Sequence, residues 1–203
     1  MHRRPLAGLA LAGALLLGAC ADADSTSLLA PEAPAENRAP APGAQSVADI
    51  VVASATAAQP EFTLLLAAIQ YIAGTNPESP LIAGLFDNDQ YTVFAPTDAA
   101  FVDLVVALGV SVDTPFADID AALGAGTVEA VVSYHVVEGR RAANSVVPRV
   151  GIRTIETLLG ATFQVSPTGV ITAIGNTANI VAANVSASNG IIHVIDTVIL
   201  PLN

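Results

Sequence analysis

The chain of 203 residues has no tryptophan, no lysine and a single cysteine. One cysteine excludes an intrachain disulfide and a zinc cage built on cysteine. Phe, Tyr and Trp together make up 4% of the sequence, too little for a platform on which sugars or bases stack. The formal charge is −11, which argues against general nucleic-acid binding. Mean hydropathy is high, +0.61, yet no uncharged apolar run reaches the roughly 18 residues of a membrane-spanning helix. Catalytic signatures are missing as well: there is no Gly-x-Ser-x-Gly, no phosphate-cradling loop and no His-Glu-x-x-His, and Gly124-Ala-Gly126 is too short to count. His135 and His193 have no third ligand beside them, and Asp87-Asn88-Asp89 lacks the Gly and the later Glu of a calcium loop. No metal, cofactor or catalytic residue is expected.

What is present begins with a patterned N-terminus. His2-Arg3-Arg4 is basic, residues 6–17 are apolar over the length of a signal-peptide core, and Leu17-Gly18-Ala19-Cys20 follows in the manner of a bacterial lipobox. On that reading residues 1–19 are a lipoprotein signal peptide and Cys20 is the acylated first residue of the mature protein. Ordinary cleavage at the small residues around Ala19 and Ala21 is the alternative. Ala21 in place of Asp after the cysteine fits outer-membrane sorting in a two-membrane bacterium. Residues 20–45 hold almost nothing to bury and read as a disordered tether, extended at Pro31, Pro34, Pro40 and Pro42. At ~3 Å per residue such a tether reaches up to ~75 Å.

With 53% of the chain hydrophobic, residues 46–203 suffice for one domain. Ser46, with Asp49 three residues on, caps a first helix. A second follows Gln59-Pro60 and carries Phe62, Leu65, Leu66, Ile69 and Ile72 at helical spacing. Residues 74–90 read as a loop around a short apolar turn. Residues 91–95 are strand-like, Pro96 ends them, and Thr97 or Asp98 caps a helix bearing Phe101, Leu104, Val105 and Leu108 ahead of Gly109. A short helix is expected near Ile119 and another over residues 127–134. Beyond Arg153 come strands at 162–165, 170–174 and 179–185, divided by turns at Pro167-Thr168-Gly169 and Gly175-Asn176. The last stretch, residues 189–201, is mostly apolar on both of its period-two faces, as a strand covered on both sides requires. Helices first and strands last define an α+β fold class.

Three stretches occur in order: Thr92-Val-Phe94-Ala-Pro96-Thr97-Asp98-x-Ala-Phe101, then Tyr134-His135, then Asn189-Gly190-x-Ile-His193-Val-Ile-Asp196-x-Val-x-x-Pro201. Through them residues 46–202 closely resemble the fasciclin (FAS1) domain. The resemblance implies a β-wedge of two twisted sheets with flanking helices, the first and last motifs forming its central strands. It also implies structural roles for Thr92, Phe94, Pro96, Thr97, Asp98, Tyr134, His135, Asn189, Gly190, His193 and Asp196, with His135 hydrogen-bonded close to Thr97. Segment 74–90 is longer than the matching connection in the family.

Both histidines lie among Val and Ile, where a charged imidazole is costly, and read as neutral core residues. Asp196, inside an apolar stretch, needs backbone N–H groups or a cap. The oddity is charge placement. From Ser46 on the basic residues are Arg140, Arg141, Arg149 and Arg153, within one 14-residue window. They either pair with the domain's own carboxylates or form a candidate binding patch for a carboxylated or phosphorylated surface. The expected function is a non-enzymatic, lipid-anchored adhesion or interaction module. Its expected place is the bacterial outer membrane or cell surface, facing the periplasm or the exterior. An unidentified protein or polysaccharide is the expected partner, self-association a further option, and the membrane is contacted through the lipid alone. The alternative is a periplasmic or surface small-ligand-binding protein or hydrolase, with a pocket near His135 that Asp98 or Asp196 helps to line.

Overall fold

The computed structural model describes residues 42–86, 89–111, 113 and 115–202. The expected signal peptide, Cys20, most of the expected tether and Asp87-Asn88 lie outside the described residues.

Helices dominate the first half. Ser46 and Asp49 form the expected capping box on α1 (Val47–Ala55): the serine Oγ accepts from the Asp49 N–H at 3.1 Å, and the carboxylate accepts from the Ser46 N–H at 3.0 Å. α2 (Thr63–Thr75) buries the stripe Leu65, Ala68, Ile69 and Ile72. Within the stretch read as a loop lies a helix, α3 (Pro80–Phe86), which buries Leu81 and Leu85 one turn apart. Then follow β1 (Tyr91–Pro96), α4 (Asp98–Leu108), α5 (Pro115–Leu123), α6 (Thr127–Tyr134) and β2 (Val136–Glu138). The short helix α7 (Ala143–Val146), which no sequence pattern marked, leads to β3 (Arg153–Glu156), β4 (Thr162–Val165), β5 (Val170–Thr172), β6 (Thr177–Ala187) and β7 (Gly190–Ile195).

The strands run in the order β2-β1-β7-β6-β5-β4-β3. β7 is parallel to β1, with His193 opposite Phe94, and antiparallel to β6. The first residues of β6 pair with β5 and the later ones with β7. Register shifts lie between Ile180 and Val185, and Asn184 there adopts φ 64°. A strand bulged in this way bends, so β6 serves two ladders and makes the two-sheet wedge of an α+β fold.

β1 and β7 are covered on both faces. Val93, Ala95 and Ile192 join Val47, Leu65, Ile72, Phe101 and Val132 from the helices. Phe94, Ile195 and Ile199 join Tyr134, Phe163 and Ile171 on the other side. There Phe163 meets Phe94 and Tyr134 edge to face, with ring centroids 5.1 and 6.0 Å away. Each such aliphatic or aromatic side chain contributes about 1.5–3 kcal/mol by leaving water, which is why neither face of the C-terminal stretch is polar. The strand itself stops at Ile195, and Val198 and Ile199 stay buried beyond it. Packing starts three residues before Ser46: the Gly43 N–H donates to Ala187 O, and the Ser188 N–H to Gln45 O. Among the described residues no helix is long and apolar enough to cross a membrane.

Candidate functional site

The corner between β2 and α7, residues 139–141, gathers several motif residues. Thr92, on β1, donates its hydroxyl to Gly139 O at 2.6 Å and accepts the Arg141 N–H at 2.8 Å. His193, opposite on β7, donates from Nε2 to Arg141 O at 2.9 Å, while its Nδ1 faces the Asn184 N–H at 3.4 Å. Burial pushes the His193 pKa down, so the ring is neutral with its proton on Nε2.

The four arginines do not stand free together. The Arg140 guanidinium folds back onto the β6–β7 turn, with Nη1 donating to Ala187 O and Gly190 O and Nη2 to Ser186 Oγ. Arg153 donates to Ser145 O across the base of α7. Arg141 donates from Nε to Glu138 O at 3.3 Å and lines a recess that Glu138 and Glu156 also line. Arg149 is the exposed one. Sequence spacing brought the four charges into one window, but local geometry turns Arg140 and Arg153 inward to main-chain carbonyls.

His135 closes α6. Its Nδ1–H donates to Val131 O at 2.7 Å and its Nε2 accepts the Ile199 N–H at 3.0 Å. Only 3% of the residue is exposed, and burial pushes its pKa down to about 4. The contact expected with Thr97 is replaced, because both ring nitrogens are already engaged and the Thr97 hydroxyl caps α4 through the Ala100 N–H at 3.2 Å. Asp98 caps a different helix. Its carboxylate accepts the Thr63 N–H, the Thr63 hydroxyl and the Leu64 N–H at 3.1, 2.6 and 2.9 Å, satisfying the start of α2, where Phe62 sits at φ 62° and offers no cap. In return Glu61 accepts the Asp98 N–H at 2.7 Å.

Asn189 joins three elements: Oδ1 takes the first N–H of α1 at 2.8 Å, Nδ2 donates to Leu85 O, and its carbonyl accepts the Tyr91 N–H. Gly190 lies so close to β1 that a Cβ would fall 2.2 Å from Tyr91 O. Asp196, half-buried just past β7, accepts the backbone and side-chain N–H groups of Asn179 at 2.7 and 2.8 Å and the Thr197 hydroxyl. Partial burial raises its pKa, but these donors outweigh that and hold the carboxyl below its usual range. Tyr134 donates its hydroxyl to Thr162 O at 2.8 Å.

His135, Asp98 and Asp196 therefore do not converge on a cleft; each is held by partners of its own. No buried side-chain nitrogen or oxygen among the described residues lacks a hydrogen-bond partner. An apolar cavity of about 190 Å³ does open between α2, α4, α5, α6 and Leu200, and His135 does not line it. Sequence reading took its residues for ordinary core. The available signal was the apolar face of α4 continuing to an exposed Leu108.

The fasciclin domain model matches residues 61–201. Immunogenic protein MPB70 of Mycobacterium bovis is 34% identical over 158 residues, 77% of this chain and 72% of that protein. Protein sll1483 of Synechocystis is 32% identical over 166 residues, 75% of this chain and 74% of the relative. The cell surface glycolipoprotein MPB83 of M. bovis is 31% identical over 157 residues, 74% of this chain and 60% of its own length. Among solved structures, a FAS1 domain pair from the insect cell adhesion molecule fasciclin I superposes with a TM-score of 0.45 at 16% identity, over 67% of this chain and 45% of that one. The chain thus spans less than half of the domain pair. The ordered motifs, the wedge they build and the extent of the family match lead to one statement: this chain belongs to the fasciclin domain family.

Proposed function

We propose that the protein is an exported, lipid-anchored interaction module that meets protein or polysaccharide partners at the cell envelope through its surface and performs no catalysis. The carrying observation is where the motif residues direct their polar atoms. Thr92, Thr97, Asp98, Tyr134, His135, Asn189, His193 and Asp196 all hold backbone groups of this same domain. Recognition then falls to the outside, where affinity comes from contact area and from many anchored copies acting together. The name of MPB83, a cell surface glycolipoprotein, supports the placement. The exposed Arg149 and Arg141, which lines a recess, are the charges left for an anionic partner, since Arg140 braces the β6–β7 turn and Arg153 the carbonyl of Ser145.

The test is expression of the full chain in a two-membrane bacterium, followed by fractionation and capture of envelope and matrix components at low and high salt. Cys20→Ser is expected to release the chain from the membrane fraction. Arg141→Glu with Arg149→Glu is expected to reduce capture of anionic components at least tenfold at low salt, with unchanged thermal stability. Membrane retention of the Cys20→Ser chain defeats the anchor; capture indifferent to both salt and charge reversal defeats the electrostatic contact.

A further inference from the structure

The apolar cavity lies outside the motif network and has a chemistry of its own. Its wall combines Ala68 of α2, Phe101 and Leu104 of α4, Phe116 of α5 and Val128 of α6, and Leu108, Leu123 and Leu202 edge its mouth at 38, 47 and 40% exposure. Thr127 is the one lining residue with a polar side chain, and its hydroxyl already donates to Gly124 O at 2.7 Å. A peptide backbone entering such a space would lose hydrogen bonds to water without replacement. A hydrocarbon chain loses none.

Charge narrows the ligand further. Residues 42–139 contain no Lys or Arg, and the helices around the cavity carry Asp103, Asp118, Asp120 and Glu129. No charged side chain lines the cavity, so the carboxylate of a fatty acid would find no cation there and would sit in the negative field of these helices, whereas an alcohol, ester or amide head needs no counter-charge. We propose that this cavity binds one uncharged alkyl or acyl chain, its end inserted between α4, α5 and α6 and its head outside the leucine rim. Size sets the depth. An apolar cavity of about 150 Å³ takes one benzene ring, so about 190 Å³ takes a chain end of about seven or eight carbons.

The experiment is calorimetric titration of the purified full chain with hexan-1-ol, heptan-1-ol, octan-1-ol and decan-1-ol, and with octanoate at pH 7.5 and low salt. One molecule is expected to bind per chain. Affinity is expected to rise about fourfold per methylene up to about eight carbons, from the ~0.8 kcal/mol per buried CH₂, and then to level off. Octanoate is expected to bind at least tenfold more weakly than octanol. Ala68→Leu adds three carbons to the cavity wall and is expected to move the plateau to about five carbons. If that variant is overpacked, Leu123→Asp at the exposed rim supplies the second reading, with octanol weakened at least fivefold in a chain of unchanged thermal midpoint. Absence of alcohol binding overturns the proposal, as does octanoate binding as well as octanol. So does a chain-length series that never levels off, which is partition into a surface and not a cavity. Self-association that Leu123→Asp abolishes, with no alcohol bound, would make the cavity a socket between copies and overturns it too.

Discussion

The imidazole of His135 shows how completely one side chain is defined here. As a donor at Nδ1 and an acceptor at Nε2 it fits Val131 O and the Ile199 N–H only in the neutral form. A proton on Nε2 would confront another N–H inside a dry core. Above pH ~6.5, the ordinary histidine value, folded and unfolded chains both carry this ring neutral and stability is at its full value. As pH falls, the unfolded chain takes up a proton that the folded chain refuses until about pH 4. Stability is therefore expected to decline between pH 6.5 and 4 by about 3 kcal/mol from this residue, at ~1.4 kcal/mol per pH unit, and His193 adds in the same direction. Urea denaturation across that range is the measurement. In His135→Gln the chain should start less stable and lose less on acidification. A wild-type profile flat from pH 6.5 to 4 would mean that the ring is not buried neutral.

At the scale of elements, α2 and α4 hold each other's first turns. Asp98 supplies three acceptor contacts to Thr63 and Leu64, and Glu61 receives the Asp98 N–H. The caps thus link two helices that also contact each other directly. Asp98→Ala is expected to cost about 2 kcal/mol, at the upper end for a lost cap, and to speed amide exchange at Thr63 and Leu64. Thr97→Ala, which removes only the local cap of α4, is expected to cost about 1 kcal/mol. Equal losses in the two variants would deny the cross-link. This arrangement also marks how far the sequence was legible. β1, α4, α6, β4 and the covered strand β7 announce themselves through apolar spacing, caps and turn residues, all of them local. Asp98 beside Thr97 looks locally like a cap for its own helix, and nothing local says that it serves α2. The same limit hid α3, where Gly84 interrupts a short apolar run because Tyr91 leaves no room for a Cβ. It also hid the inward turn of Arg140, whose acceptors lie 46–50 residues away. The resemblance put a hydrogen bond of His135 close to Thr97, whereas its ring meets Val131 O and the Ile199 N–H, the latter 64 residues along the chain and beyond any local pattern.

On the scale of the whole molecule, charge is unevenly distributed along the chain. Twelve Asp and Glu and no Lys or Arg lie within residues 42–139, and three of the four arginines that follow, Arg140, Arg141 and Arg153, donate to carbonyl groups. A module of this kind repels itself internally and repels its neighbours. Salt screens both effects, since the Debye length falls from ~30 Å at 0.01 M to ~3 Å at 1 M. The thermal midpoint at pH 7 is thus expected to rise between 10 mM and 500 mM NaCl by about 2–4 °C, the shift that ~1 kcal/mol produces in a domain of this size. A protein stabilised by surface ion pairs would move the opposite way, and a fall in the midpoint would show that the arginines do pair with the carboxylates. The same repulsion bears on the proposed anchoring: copies held at one membrane in that way would keep apart at low ionic strength. Light scattering of the full chain should accordingly show less association at 10 mM than at 500 mM salt.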